Sequence, residues 1–311
     1  MADTAAREQL TVGRQTVPLS NTGKVLFPAD GITKGDLIRY YQGIARVMLP
    51  YLRNRPLSLA RYPDGITGER IFQKNVGRHF PDWIPRTPVD KTGGEVCQVL
   101  CEKPADLVYL ANQACVELHA LLSRTGSLHE PDQLIFDLDP PDGRHFGQVR
   151  TVALRLRGIL EDDLGLTSFV KTTGSKGLHV QVPLNSREDF DGVREFARQV
   201  AGVLAAAEPD LVTVEQRKDA RGGRIYADIM RNAYAQTAVA AYSVRARPGA
   251  PVAAPLHWAE VTDPGLIPGA VTIRTIGARL DHLAAAGDPW AGMTRHRYGL
   301  ARPRRLLRGL S

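Results

Sequence analysis

The chain has 311 residues, 43% hydrophobic and 23% charged, with 29 glycines and a formal net charge of +7. This is the composition of a globular protein with enough length for one large or two small cores. No apolar run approaches the roughly 18–20 residues a bilayer span needs, and the opening "MADTAAREQL" lacks the charged-then-apolar pattern of a secretion signal, so cytoplasmic residence is expected.

Three cysteines, Cys97, Cys101 and Cys115, are too few for a disulfide framework, and no suitably spaced fourth zinc ligand follows the first two. Residues 1–20 read as a polar lead-in. In "GITKGDLIRYYQGIARVML", Thr33 caps a helix with Asp36 three positions on, and apolar residues at 37, 38, 41, 44, 45 and 48 keep helical spacing until Pro50 ends it. "PADLVYLANQACVELHALL" (104–122) predicts a second helix opening on proline, which would carry His119. "VRTVALRLRGILEDDLG" (149–165) predicts a third, closed by Gly165.

Strands are predicted at 133–139, 167–173, 177–184, 211–217, 223–230 and 238–246, with a long helix over 187–207 and another near 271–286. Several of these strands are close enough in sequence to pair antiparallel. The fold class is therefore α+β: a mixed or antiparallel central sheet flanked by helices, with a helix-rich N-terminal portion (21–130) wrapped onto a core (131–290). The stretch "TRHRYGLARPRRLLRGLS" carries six arginines and no acid, and 291–311 read as a basic, solvated tail suited to weak attachment to a polyanion.

Three stretches could carry chemistry. In "QLIFDLDPP", Asp137 and Asp139 are two apart on a strand and share a face, with Leu138 turned to the other side. Two such carboxylates repel unless a cation joins them, and oxygen ligands suit Mg²⁺ or Mn²⁺; an isolated pair of this kind more often just faces water. Asp228, in "GRIYADIM", is a third acid that a neighbouring strand could bring in, or a surface acid paired with Arg224 or Arg231. "TTGSKGLHV" (172–180) is a strand–turn–strand whose glycines let backbone N–H groups, Ser175 and Lys176 approach an anion, with His179 nearby. It is not a P-loop, because the spacing differs and a strand follows. In "YSVRARP", Arg245 and Arg247 share a strand face suited to phosphate.

In order, these segments resemble the archaeo-eukaryotic primase superfamily, and within it the polymerase domain of the bacterial non-homologous end-joining ligase D. "FDLDP" resembles its first metal motif, "TGSKGLHV" the second and "YADIMRNAYAQTAVAAYSVRARP" the third; "TGKVLFPADGITKGDLIRYY" and "RPLSLARYPDG…RIFQKN" resemble its N-terminal signatures. The resemblance implies a primase-polymerase domain over 21–290 that adds ribo- or deoxyribonucleotides at gaps and broken ends by a two-metal mechanism. It implies two Mn²⁺ or Mg²⁺ ions on Asp137, Asp139 and Asp228, and NTP or dNTP held by His119, Ser175, Lys176, His179, Arg245 and Arg247. Lys24 and Lys34 would grip a downstream 5′-phosphate, Phe72 would stack on a template base and Arg61 would contact template.

Implied partners are gapped or broken duplex DNA, a DNA ligase and a Ku-type end-binding protein, in a nucleoid-associated setting. The chain departs from the family pattern at Ile71, where relatives carry a second phenylalanine, and at Gln236 and Ala241. It shows no K-x-D-G adenylation motif, so a stand-alone relative or an excised domain is expected. Two other readings stay open: a primase that starts chains de novo, and a non-catalytic DNA-end binder.

Overall fold

The computed structural model describes residues 8–143 and 146–310. It begins with β1 (Gln9–Val12), β2 (Gln15–Pro18), β3 (Val25–Phe27), β4 (Ile32–Thr33) and α1 (Lys34–Leu52). Then come β5 (Leu57–Arg61), β6 (Ile71–Gln73), β7 (Arg86–Lys91), β8 (Gly94–Val99), α2 (Pro104–Asn112) and β9 (Cys115–Leu121). The second half holds β10 (Gln133–Asp139), α3 (Phe146–Gly158), β11 (Phe169–Thr172), β12 (Leu178–Pro183), α4 (Phe190–Ala207), β13 (Val212–Thr213) and β14 (Ile225–Asp228). It closes with β15 (Thr237–Val239), β16 (Pro255–Leu256), α5 (Trp258–Thr262), α6 (Ile276–Ala286) and α7 (Ala301–Leu307).

Two large sheets organise the α+β fold, one ordered β13-β14-β10-β12-β11-β16 and the other β15-β9-β5-β8-β7 with β6 added on β5. In the first sheet every pairing is antiparallel except β13 with β14. Strand alternation explains how it sits. Leu134, Phe136 and Leu138 of β10, Leu178, Val180 and Val182 of β12, and Ile225 and Ala227 of β14 are buried in one core with Val149, Val152 and Leu156 of α3 and Val193, Phe196 and Val200 of α4. Each of these side chains larger than alanine contributes about 1.5–3 kcal/mol on burial. The opposite face is left to Asp137, Asp139, His179 and Asp228. The second sheet is backed by α1 and α2 through Leu37, Tyr41, Ile44, Met48, Leu107 and Leu110. Its residues Glu117, His119 and Thr237 meet the acid-bearing face across a cleft.

The capping box forms as expected: Thr33 Oγ1 accepts from the Asp36 N–H at 3.2 Å, and the Thr33 N–H donates to Asp36 Oδ2 at 2.8 Å. The helix nevertheless continues past Pro50 to Leu52. A proline near a C-terminus removes one hydrogen bond without ending the last turn. Gly165 does close the third helix, at φ +68° after a π-helical turn over Ile159–Asp163.

Further expectations need correction. The portion over 21–130, expected to be helix-rich, carries the strands β3 to β9 beside α1 and α2 and supplies most of the second sheet. The helix predicted over 104–122 stops at Asn112, Ala114 adopts φ +55°, and residues 115–121 form β9, so His119 lies on a strand. An apolar stretch buried on both faces loses the alternation that separates strand from helix. The strand predicted over 238–246 ends at Val239, and the chain turns through Tyr242 at φ +63°. The described part of the lead-in is a β1–β2 hairpin. The basic tail is also structured: α7 docks on α4 with Pro303 and Leu307 buried, and Arg304 pairs with Glu188. Among the described residues, no helix is long and apolar enough to cross a membrane.

Candidate active site

Asp137 lies directly opposite Asp228 in the β10–β14 pairing, with Asp139 opposite Tyr226. On the other side of β10, Asp137 faces His179, and His179 in turn faces Lys171 of β11. A single row therefore crosses four strands: Asp228, Asp137, His179, Lys171. Because side chains two apart share a face, Asp139 joins the row's acidic end.

Asp137, Asp139, Asp228 and His179 line a hollow of about 260 Å³ together with Ser175, Lys176, Gly177, Thr173, Arg231, Arg245 and Arg247, and with His119 and Thr237 from the facing sheet; Lys171 lies buried behind it. An adjoining hollow of about 640 Å³ shares His119, Arg231, Thr237, Arg245 and Arg247 and adds Tyr62, Arg70, Phe72 and Lys74.

The carboxylates are balanced by bases. Asp137 Oδ2 is 3.4 Å from His179 Nε2 and 3.6 Å from Arg231 Nε. Asp139 is 3.2 Å from Lys176 Nζ and 3.3 Å from Arg221 Nη1. Asp228 Oδ1 accepts from the Met230 N–H at 2.7 Å. Burial alone would raise the Asp137 carboxyl, but His179, Arg231 and Lys171 outweigh it and hold the group well below the usual carboxylate range. Asp228 shifts the other way, upward, through burial and the nearby Asp137 charge, against the pull of the Met230 N–H. Burial and the Lys171 charge lower His179 to about 4. Burial and Arg245 lower Lys171 to about 7. The Lys171 ammonium is fully buried and has no hydrogen-bond partner among the described residues.

Three hard oxygen donors on one face have the right chemistry for Mg²⁺ or Mn²⁺, and the mutual repulsion recorded at Asp228 is what a cation would relieve. As they stand, with basic side chains as counter-charges, no three His, Cys, Asp or Glu side chains among the described residues form a group that could hold a metal ion.

The "TTGSKGLHV" turn is built around its glycines. A Cβ on Gly177 would lie 2.2 Å from the Leu138 carbonyl oxygen, so only glycine lets the turn press against the end of β10. Gly174 has φ +63°, and its Cβ would meet Arg245 and the Val252 backbone inside 3 Å. The turn thereby delivers Lys176 to the Pro140 carbonyl at 2.6 Å and to Asp139.

Arg245 ties the two sheets together, donating to Glu117 Oε1 at 3.1 Å and to the Thr173 carbonyl at 2.6 Å. Glu117 also meets His119 Nε2 at 2.9 Å. Burial opposes the charge on Glu117, but His119 and Arg245 prevail and keep it well below the usual range; burial lowers His119.

The remaining expected residues lie on the second sheet's side of the molecule or at its edge. Phe72 stands on the edge strand β6, 42% exposed, with its ring 5.7 Å from His119 and the Arg70 guanidinium 4.9 Å above it. Lys34 opens α1 and is buried; its ammonium reaches Ser20 Oγ at 3.3 Å, and its pKa is lowered by burial and then by nearby Lys24. Lys24 pairs with Asp64 at 2.8 Å. Arg61 is half-buried and committed to the Gln113 carbonyl and Gln73 Oε1, each at 3.0 Å, outside both hollows.

Sequence reading missed Lys171, Glu117, Arg221 and Arg70, and placed Arg231 only as a surface partner of Asp228, whereas it lies 3.6 Å from Asp137. The i+2 spacing of Lys171 from Thr173 was legible on the strand predicted over 167–173, and that of Glu117 from His119 would have followed had β9 been read as a strand.

Two helix-backed sheets enclosing a cleft with three carboxylates opposite a ring of bases define a protein of the primase-polymerase class. Residues 33–290 match the family described as LigD, primase-polymerase domain. The chain is 37% identical over 264 residues to the multifunctional non-homologous end joining DNA repair protein LigD of Mycobacterium tuberculosis, covering 82% of this chain and 35% of that protein. It is 34% identical to Pseudomonas aeruginosa LigD over 99% of this chain and 36% of the relative, and 32% identical to the bifunctional Bacillus subtilis LigD over 86% and 42%. It superposes on the polymerase domain of Mycobacterium tuberculosis ligase D, solved in complex with DNA, with a TM-score of 0.83 at 34% identity, covering 91% of this chain and 99% of that one. The chain belongs to the LigD primase-polymerase domain family. It spans little more than a third of the length of the first two of these relatives.

Proposed function

We propose that the chain is a template-directed nucleotidyltransferase that adds ribo- or deoxyribonucleotides at gaps and double-strand-break ends in DNA. The observation that carries this reading is the face shared by Asp137, Asp139 and Asp228, which lines one hollow of about 260 Å³ with Lys176, Arg231, Arg245 and Arg247. Phosphoryl transfer asks chiefly for positioning and charge stabilisation, and these side chains are arranged for both.

In this proposal Asp137, Asp139 and Asp228 hold two Mn²⁺ or Mg²⁺ ions, which when bound would activate the attacking 3′-hydroxyl and offset charge on the leaving pyrophosphate. With the acids so neutralised, Lys176 and Arg221 are released to meet phosphate. Ser175, His179 and the glycine turn take the triphosphate, helped by Arg245 and Arg247. His119, oriented by Glu117, borders the nucleotide. Phe72, steadied by Arg70, offers a ring on which a template base stacks. Lys24 and Lys34 receive a 5′-phosphate near the start of α1, where free N–H groups add favourable partial charge. A ligase and a Ku-type protein are the partners such an activity would serve, and nucleoid association would follow from DNA binding.

A pure DNA-end binder gains nothing from three acids facing a polyanion, which disfavours that alternative. De novo priming is the remaining one. Primer extension on a gapped, 5′-phosphorylated duplex, with Mn²⁺ against Mg²⁺ and ribo- against deoxyribonucleotides, tests the proposal. Extension by the parent and none by the Asp137→Ala, Asp139→Ala double variant is the expected result; equal extension by both defeats it. Products on a primer-free single strand would point to priming instead.

A further inference from the structure

We infer that the docked C-terminal segment is a second nucleic-acid surface, which binds the sugar–phosphate backbone of duplex DNA flanking the site of synthesis. The segment lies beyond residues 33–290, the part that matches the family. The inference rests on the reading of the chain as a DNA-acting protein.

The argument starts from how the segment is anchored. Tyr298 forms a β-bridge to Leu184 at the end of β12, and its hydroxyl hydrogen-bonds Thr167 Oγ1 at 2.7 Å. Leu300, Pro303 and Leu307 are buried in or against the core beneath α4. Arg304 spends its charge on Glu188 and donates to the Gly192 carbonyl at 2.9 Å.

At about 100° per residue, Pro303 and Leu307 define the inward side of α7. Arg302, Arg305 and Arg308 then fall within about 120° of one another, centred on the side directly opposite. All three are exposed, and none makes an ion pair among the described residues. No acid occurs anywhere from Pro289 to Ser311. Arg295 and Arg297 are also exposed, and Arg297 lines the hollow at the end of the inter-sheet cleft that lies away from the acids.

The anchoring is what turns a basic run into a surface. A free tail would lose conformational entropy on meeting DNA, whereas a helix already packed presents its three guanidinium groups in a fixed row. Such a row suits a regular line of phosphates. It carries no groups for reading bases, so binding should be independent of sequence. His179 on β12 and Leu184, one residue past its end, are five residues apart, roughly 17 Å of extended chain. The segment is anchored at the end of β12 away from the acids and on the α4 side of the sheet, so duplex it contacts lies beyond the nucleotides engaged at the acids.

The test measures binding of the full chain to gapped duplexes with flanks of about 5 or about 30 base pairs, roughly 17 and 100 Å long, between 50 and 200 mM salt. Parent protein should bind the long-flank duplex more tightly. Arg302→Ala, Arg305→Ala, Arg308→Ala should abolish that gain while leaving short-flank binding and extension intact. Losing three phosphate contacts should reduce the salt slope by about 2.7, so the parent loses about 40-fold more affinity than the variant across that range. The corresponding triple lysine variant should restore most of the effect, because charge carries it.

Equal long-flank affinity and salt slope in parent and alanine variant would overturn the inference. So would an alanine variant that loses binding to phosphatidylserine vesicles while keeping its affinity for DNA. If the parent bound neither duplex, the DNA-acting reading itself would fail, an outcome distinct from the other two. An unchanged thermal midpoint, together with the single variant Arg305→Glu, guards against misfolding as the cause.

Discussion

Asp137 and Asp228 stand directly across from one another on neighbouring antiparallel strands, so that two carboxylates face the same hollow at adjacent positions. Like charges directly opposite in a sheet destabilise it. Asp228→Asn should therefore leave the metal-free protein at least as thermally stable as the parent. Primer extension, by contrast, should fall by about 10²-fold or more, the scale seen when an electrostatic partner of the transition state is removed. A variant that extends as well as the parent, or that unfolds at a lower temperature without metal, contradicts this account.

Lys34 is buried at the start of α1 beside Lys24. Lys34→Ala should lower the preference for a 5′-phosphorylated gap by about 10- to 100-fold, as expected for a charge-assisted hydrogen bond of about 1.5–3 kcal/mol. Affinity for the unphosphorylated gap should change much less. An unaltered ratio between the two substrates counts against the role.

Glu117, His119 and Arg245 make a buried charged cluster whose pH response has a definite sign. The Glu117 carboxyl is held below its ordinary value of about 4.3 by His119 and Arg245 against the effect of burial. In acid the unfolded chain thus takes up a proton that the folded one refuses. That contribution is complete above about pH 4.3 and is lost as pH falls toward the folded value. Burial likewise lowers His119, so the unfolded chain also binds more protons below about pH 6.5. Both effects make stability decline on acidification. Glu117→Gln should flatten the decline below about pH 4.3, read as thermal midpoint against pH. A decline as steep as the parent's over that window is the contrary result.

Gly177→Ala would drive a methyl group to 2.2 Å from the Leu138 carbonyl oxygen, between Asp137 and Asp139 on β10. Overpacking of this kind costs about 1–3 kcal/mol, and the displaced strand carries the acids. Both the thermal midpoint and extension should fall. Gly202, exposed in α4 with nothing within 4 Å of its Cβ position, is the control: Gly202→Ala should stabilise by about 0.5–1 kcal/mol and leave extension unchanged.

Much of this was legible from neighbours in the chain. The strand over 133–139, the shared side of Asp137 and Asp139, the Thr33 cap and the closing Gly165 each depend on residues a few positions apart, and each is found. His119 was misplaced for the same reason: in a segment buried on both faces, local pattern is silent about strand or helix. Arg245 and Arg247 do reach the acid-lined hollow, but from a turn.

The sequence alone determined which side chains a strand would turn the same way and which family the ordered motifs resemble, because period and turn chemistry are properties of adjacent residues. Only the tertiary structure decided that Asp228 falls opposite Asp137, that Lys171 is buried at the end of their row, and that the arginine-rich end packs down to present one charged side. Those outcomes depend on strand register and on contacts between distant segments, which are set by how the cores on the two sheets fill and not by any local rule.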